Sequence, residues 1–189
     1  MVTAVAKIQI LRMGHRPARD KRLTTHVALT ARGFGADGIL ICGARDAKIV
    51  RSVERVVEKW GGSFSIEFCS SWKVALSDWR ERGGEIIHLT MYGQPLPEAL
   101  AQVRGSDKDK LIVVGAEKVP GEVYRLATYN ISVTHQPISE VSALAVFLDR
   151  YFDGRELFKE FEGCRMQIHQ HWTEKNMNSL SSPFSTRED

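Results

Sequence analysis

Leu111–Val119, LIVVGAEKV, followed by Asn130–Ile138, NISVTHQPI, decides the fold. Each stretch opens with a short β-rich apolar run, Leu111–Val114 and Asn130–Thr134, and gives way to turn chemistry at Gly115 and Pro137. Working outward, runs of the same kind recur at Ile8–Leu11, Gly38–Cys42, Phe64–Phe68 and Glu85–Leu89. Several are almost wholly apolar, as strands buried on both faces must be, and helical stretches separate most of them. That alternation predicts an α/β protein with a mainly parallel sheet covered by helices on both faces.

The helices announce themselves by spacing. Within Asp46–Trp60, Ile49, Val53, Val56 and Val57 fall on one face, and Gly61–Gly62 ends the pattern. A second helix is expected over Ser71–Arg82, stopped by Gly83–Gly84. A third runs from Ser139 to Arg150 with Val141, Leu144, Ala145 and Leu148 inward. Arg155 to about His171 reads as a last amphipathic helix, and the polar, Ser-rich tail Asn176–Asp189 as frayed. At 189 residues the chain can bury one good core, so residues 1–175 are expected to form a single domain.

No GxGxxG follows the first strand, so the common dinucleotide fingerprint is missing. The glycines come late, at Gly93, Gly115 and Gly121. Ligands of open parallel sheets bind outside the carboxyl ends of strands, which points to three late loops, MYGQP, GAEKVPGEVY and THQPISEV.

Charge is concentrated at the other end of the sequence. Between Lys7 and Arg22 stand Lys7, Arg12, Arg16, Arg19, Lys21 and Arg22 against Asp20 alone. This segment carries more positive charge than the net +3 of the whole chain, so the remainder is slightly acidic. A local patch of this kind suits a folded polyanion such as RNA bound at one place. Cys42, Cys69 and Cys164 are scattered and form no CxxC pair, so neither a disulfide framework nor a zinc site is indicated. His169 and His171 would diverge on a helix, and no metal is expected. No run reaches the roughly 20 apolar residues of a membrane span, and a cytoplasmic location is expected.

GHRPARDKRLTTHV, ARGFGADGI, HLTMYG, VVGAEKVPGEVY and ISVTHQPISEVSALAVFLDR together resemble the archaeal tRNA (cytidine(56)-2′-O)-methyltransferases of the SPOUT superfamily, over roughly residues 6–165. The resemblance implies a SPOUT-type sheet whose C-terminal part, about residues 85–150, is tied into a deep trefoil knot. It implies a homodimer, tRNA as substrate and S-adenosylmethionine as methyl donor. It also implies donor-binding positions: Leu89; Gly115, Ala116, Glu117, Lys118 and Val119; and Ile131, Ser132, Val133, Thr134, His135, Gln136, Pro137 and Ile138. Glycine at 115 lets backbone approach a ligand, and apolar Leu89 and Ile131 can flank a flat adenine.

Ribose-methylating SPOUT proteins carry an asparagine and an arginine ahead of the element that is Gly33-Phe34-Gly35 here, and this chain has Leu23 and Leu29 at those places. The arginines of HRPARDKR are the substitutes: Arg22 first, then Arg19 and Arg16. A guanidinium is too weak an acid to serve as base, so its role would be to orient the ribose and stabilise a forming alkoxide. An RNA phosphate, His15 or His26 would take the proton. Lys7, Arg12, His15 and Lys21 would grip the RNA, Asp20 would pin an arginine, and Thr24 and Thr25 would either meet a phosphate or cap the following helix.

Overall fold

The computed structural model describes residues 6–115 and 118–180. Strands and helices alternate: β1 (Ile8–His15), α1 (Pro17–Gly33), β2 (Gly38–Gly43), α2 (Ala47–Trp60), β3 (Ser65–Cys69), α3 (Trp72–Glu81), β4 (Glu85–Pro95). There follow α4 (Leu96–Arg104), β5 (Lys110–Val114), α5 (Gly121–Leu126), β6 (Tyr129–Ser132) and α6 (Glu140–Phe152). The strands form one six-stranded sheet in the order β3-β2-β1-β5-β4-β6. Every pairing in it is parallel.

The period of two along each strand sorts side chains between two cores. Ile112 and Val114 of β5, with Ile8 and Ile10 of β1, face one layer. There Val27, Ala28 and Ala31 of α1 meet Ile49 and Val53 of α2 and Leu144, Phe147 and Leu148 of α6. Leu111 and Val113, with Leu11 and Met13, face the opposite layer, where Ala75, Leu76 and Trp79 of α3 and Val123 of α5 pack. Each fully buried aliphatic side chain adds about 1.5–3 kcal/mol. Both faces are thus sealed.

Local chemistry sets the helix ends. The Asp46 side chain accepts from Lys48 N at the start of α2, and Gly61, at φ 75°, ends it. The Ser139 side chain does the same for Val141 N at the start of α6. The basic segment is helix rather than loop. Arg16 is extended, Pro17 opens the first turn, and α1 carries the arginines forward.

The ending departs from the sequence reading. In place of a helix over residues 155–171, a single 3-10 turn at Arg155–Phe158 leads to an antiparallel hairpin of β7 (Met166–His169) and β8 (Asn176–Ser179). Ahead of the hairpin the segment is tied to the end of α2 and the turn after it: Gly62 N donates to Glu162 O at 2.7 Å and Arg165 N to Lys59 O at 3.0 Å. Phe161 packs against Gly62, where a Cβ would come within 2.5 Å of its ring, and lies 4.4 Å beneath the Arg32 guanidinium. Asn176–Ser179, expected to fray, is the hairpin's second strand. The rest of that tail from residue 181 lies outside the described residues.

Candidate functional site

At the carboxyl ends of β4, β5 and β6 the three late loops converge on a cavity of about 580 Å³. This is the size of a small-molecule site. The first wall comes from β4, which pairs with Ile131 through Leu89, arches outward, and pairs with Ile131 again through Gln94. The arch brings Leu89, Thr90, Met91 and Tyr92 to the opening. Gly93 allows the return: a Cβ there would lie 2.5 Å from the backbone of Asn130 and Ile131. The second wall is Gly115, Lys118 and Val119, and a Cβ on Gly115 would collide with Val119 Cγ2. The third is Val133, Thr134, Gln136, Pro137 and Ile138, backed by Glu140 and Ala143 of α6.

Of the positions that the sequence assigned to a donor, Leu89, Gly115, Lys118, Val119, Val133, Thr134, Gln136, Pro137 and Ile138 line this cavity. Ala116 and Glu117 lie outside the described residues. Ile131 does not line the cavity: its side chain is fully buried in the core shared with α4 and α6. Ser132 is buried beside it and does not line the cavity. His135 is exposed, and its Nδ1 lies 2.8 Å from Met91 O, tying the third loop to the first.

A polar cluster that the sequence did not disclose stands at one end. His88, Thr90 and Tyr124 line the cavity, and His88 meets Tyr124 edge-on at 4.6 Å between ring centres. Asn130 donates its side-chain amide to Tyr124 O at 2.9 Å, so its Oδ1 accepts from His88 Nδ1–H, also at 2.9 Å. Neutral His88 therefore offers Nε2 as an acceptor. Burial holds its pKa below the usual value, against the pull of the Asn130 bond. The one trace in the sequence was a lone histidine inside the apolar run EIIHL.

The basic segment borders the same sheet edge, because β1 neighbours β5 and α1 starts where β1 ends. None of Arg16, Arg19 and Arg22 lines the cavity itself. Asp20 accepts from Arg16 Nε at 3.0 Å and from Arg16 N at 3.2 Å. That hydrogen bonding depresses the Asp20 pKa, and Arg19 Nε lies 4.0 Å from the same carboxylate. Arg19, Arg22 and His26 are exposed at helical spacing along one face of α1. Lys21 is exposed beside them.

The residues expected to contact RNA are placed differently from one another. Arg12 is only 1% exposed, its Nη1 donating to Gly115 O at 2.6 Å and to Met13 O at 2.9 Å. His15 is buried between α1 and α2, with Nδ1 2.9 Å from Thr24 Oγ1 and Nε2 4.0 Å from Asp46 Oδ2. Both side chains are shielded from solvent. Lys7 is exposed but precedes β1, at the amino edge of the sheet, where Lys110 N donates to Lys7 O. The eight residues of β1 put it about 25 Å from the arginines. Thr24 and Thr25 sit inside α1 rather than before a helix, Thr25 Oγ1 donating to Lys21 O at 2.9 Å.

Among the described residues no group of three or more His, Cys, Asp and Glu side chains could hold a metal ion, and no helix is long and apolar enough to cross a membrane. The fold is shared with RNA methyltransferases of the SpoU and TrmH kind. The structure of an RNA 2′-O ribose methyltransferase superposes with a TM-score of 0.60 at 18% identity, over 79% of this chain and 57% of that one. The SpoU methyltransferase AviRb from Streptomyces viridochromogenes, solved in complex with AdoMet, gives 0.53 at 16% identity, over 79% of this chain and 58% of that one. The chain thus spans rather less than two thirds of these two structures' length.

The sequence narrows the class. The profile of the tRNA ribose 2′-O-methyltransferase family, aTrm56, matches residues 60–178, and the chain belongs to that family. It is 57% identical over 164 residues to the tRNA (cytidine(56)-2′-O)-methyltransferase of Thermococcus kodakarensis, covering 85% of this chain and 91% of the relative. Against that of Methanopyrus kandleri it is 51% identical over 159 residues, covering 84% and 89%.

Proposed function

We propose that this protein transfers a methyl group from S-adenosylmethionine to the ribose 2′-hydroxyl of cytidine 56 in tRNA. The observation that carries this reading is the convergence of three separate loops on one cavity beside an exposed row of arginines, in a chain that belongs to a tRNA ribose methyltransferase family. The cavity suits the donor. Leu89, Val133, Pro137 and Ile138 offer apolar surface for an adenine, Gly115 brings backbone close, and Thr90, Tyr124 and Glu140 offer polar contacts.

The donor supplies a methyl group on an already electrophilic sulfonium sulfur. The chain's own residues must then align the ribose hydroxyl with that methyl group and help it shed its proton. Arg22, exposed on α1, would hold the ribose and stabilise the forming alkoxide, and Arg19 would assist from the same face. Arg16, fixed by Asp20, would orient the neighbouring phosphate. His26, one turn beyond Arg22, and an RNA phosphate remain as proton acceptors. Lys21 would add attraction for the RNA backbone.

The finer architecture belongs to the same reading. Residues 85–150 would be knotted, which the double pairing of β4 with Ile131 and the tie from His135 to Met91 support. A chain cyclised while folded should then run faster on a denaturing gel than one cyclised while unfolded. A homodimer is supported by Phe158 and Trp172, 87% and 102% exposed on the C-terminal segment. A monomer in sedimentation equilibrium would count against it. Residues 1–175 would act as one domain, in the cytoplasm with its tRNA.

The deciding experiment incubates the protein with S-adenosylmethionine and an unmodified tRNA transcript and maps the product by mass spectrometry. A methylated ribose at cytidine 56 is expected; methylation elsewhere, or none, would reject the assignment.

A further inference from the structure

Among the described residues that line the cavity, Glu140 is the one acidic side chain. Its place in the first turn of α6 suits an acid in any helix, but that does not explain why it faces the cavity. Its Oε1 lies 3.7 Å from Arg12 Nη1, and the two side chains are 30% and 2% exposed respectively. At that distance the pair attracts without a hydrogen bond. The same Nη1 is already committed to Met13 O and Gly115 O. Among the described residues, no group hydrogen-bonds to the Glu140 carboxylate. Its acceptor capacity is left for whatever fills the cavity.

We propose that Glu140 recognises a cationic centre of the methyl donor, an inference that rests on the cavity being the donor site. S-adenosylmethionine carries two such centres. The sulfonium becomes a neutral sulfide when the S–CH3 bond breaks and the O–CH3 bond forms, whereas the α-ammonium is unchanged. A carboxylate facing the sulfonium discriminates substrate from product; one facing the ammonium holds both alike. Serving only as counter-ion to buried Arg12 would give Glu140 a part in stability and no preference among ligands.

Calorimetric titration of wild-type protein and Glu140→Gln with three probes tests this. The probes are S-adenosylmethionine, S-adenosylhomocysteine, which has a neutral sulfur and keeps the ammonium, and 5′-methylthioadenosine, which has neither charge. Weakening of S-adenosylmethionine alone, by about tenfold, identifies the sulfonium. Equal weakening of the first two probes and not the third identifies the ammonium. A uniform change across all three, or no change, overturns the proposal. Wild-type protein that fails to bind S-adenosylmethionine would instead overturn the reading of the cavity. Should Glu140→Gln not fold, Glu140→Asp keeps the charge, withdraws it by one methylene, and gives the same pattern at smaller amplitude.

Discussion

The guanidinium of Arg12 reaches the carbonyl oxygen of Gly115 at 2.6 Å, across 103 residues of sequence. One buried side chain thereby ties the strand that feeds the basic helix to the loop that walls the cavity. Arg12→Met leaves a buried carbonyl, a half-buried one and the Glu140 carboxylate without this partner, at a cost of about 2–3 kcal/mol in stability. The donor loop should also relax, raising the Kd for S-adenosylmethionine about tenfold. Thermal melts with and without the donor check both effects. An unchanged Kd would make Arg12 a purely structural residue.

Gly115→Val tests the loop from the other side. The new side chain collides with Val119 and must move one wall of the cavity. Overpacking of this kind costs about 1–3 kcal/mol, and donor affinity should fall at least about tenfold while the sheet stays intact. Normal affinity would remove residues 115–119 from the site.

Arg22→Ala should separate binding from chemistry. Arg22 is exposed and does not line the cavity, so donor affinity should stay within about twofold. Single-turnover transfer to tRNA should fall on the order of 100-fold if the guanidinium stabilises the alkoxide. Asp20→Asn, which loosens Arg16 without removing an arginine, should cost about tenfold in the same assay. Full turnover by Arg22→Ala would pass the role to Arg19.

Acid should weaken the fold through two histidines. Burial is the largest influence on both and holds His15 and His88 below the ordinary 6.5, although Asp46 and Asp20 pull His15 upward and Asn130 pulls His88 upward. The folded chain therefore favours the neutral rings, and the unfolded chain takes up protons first as pH falls. Their contribution is present above 6.5 and is lost as pH drops through the lower folded values. Melting temperature should decline as pH falls below 6.5, and His88→Gln should shrink the decline. An identical slope in the variant would show that His88 is not among the groups responsible.

The sheet was legible because its central strands are buried on both sides. An uninterrupted run such as LIVV has few alternatives, and its observed span, Lys110–Val114, differs from the sequence reading by one residue. The loops were legible because glycine and proline mark strand ends. Side-chain direction was not. Ile131 looked as available to a ligand as Leu89, yet pairing with β4 turns it into the core. Arg12 and Arg16 are both arginines of one basic segment, but the first points inward from a strand and the second stands at the start of a helix. The approach to the C-terminal hairpin was misread because the partners of Glu162 and Arg165, Gly62 and Lys59, are about 100 residues away and periodicity sees only neighbours.

The sheet order has a consequence for biosynthesis. β1 is flanked by β2, made immediately after it, and by β5, whose residues 110–114 emerge about 100 residues later. At roughly 5–20 residues per second, the ribosome exposes one edge of a strand that is almost wholly buried in the finished fold for roughly 5–20 s before its second neighbour exists. Nascent chains stalled before residue 110 should accordingly recruit chaperones and aggregate when released, and those stalled well past it should not.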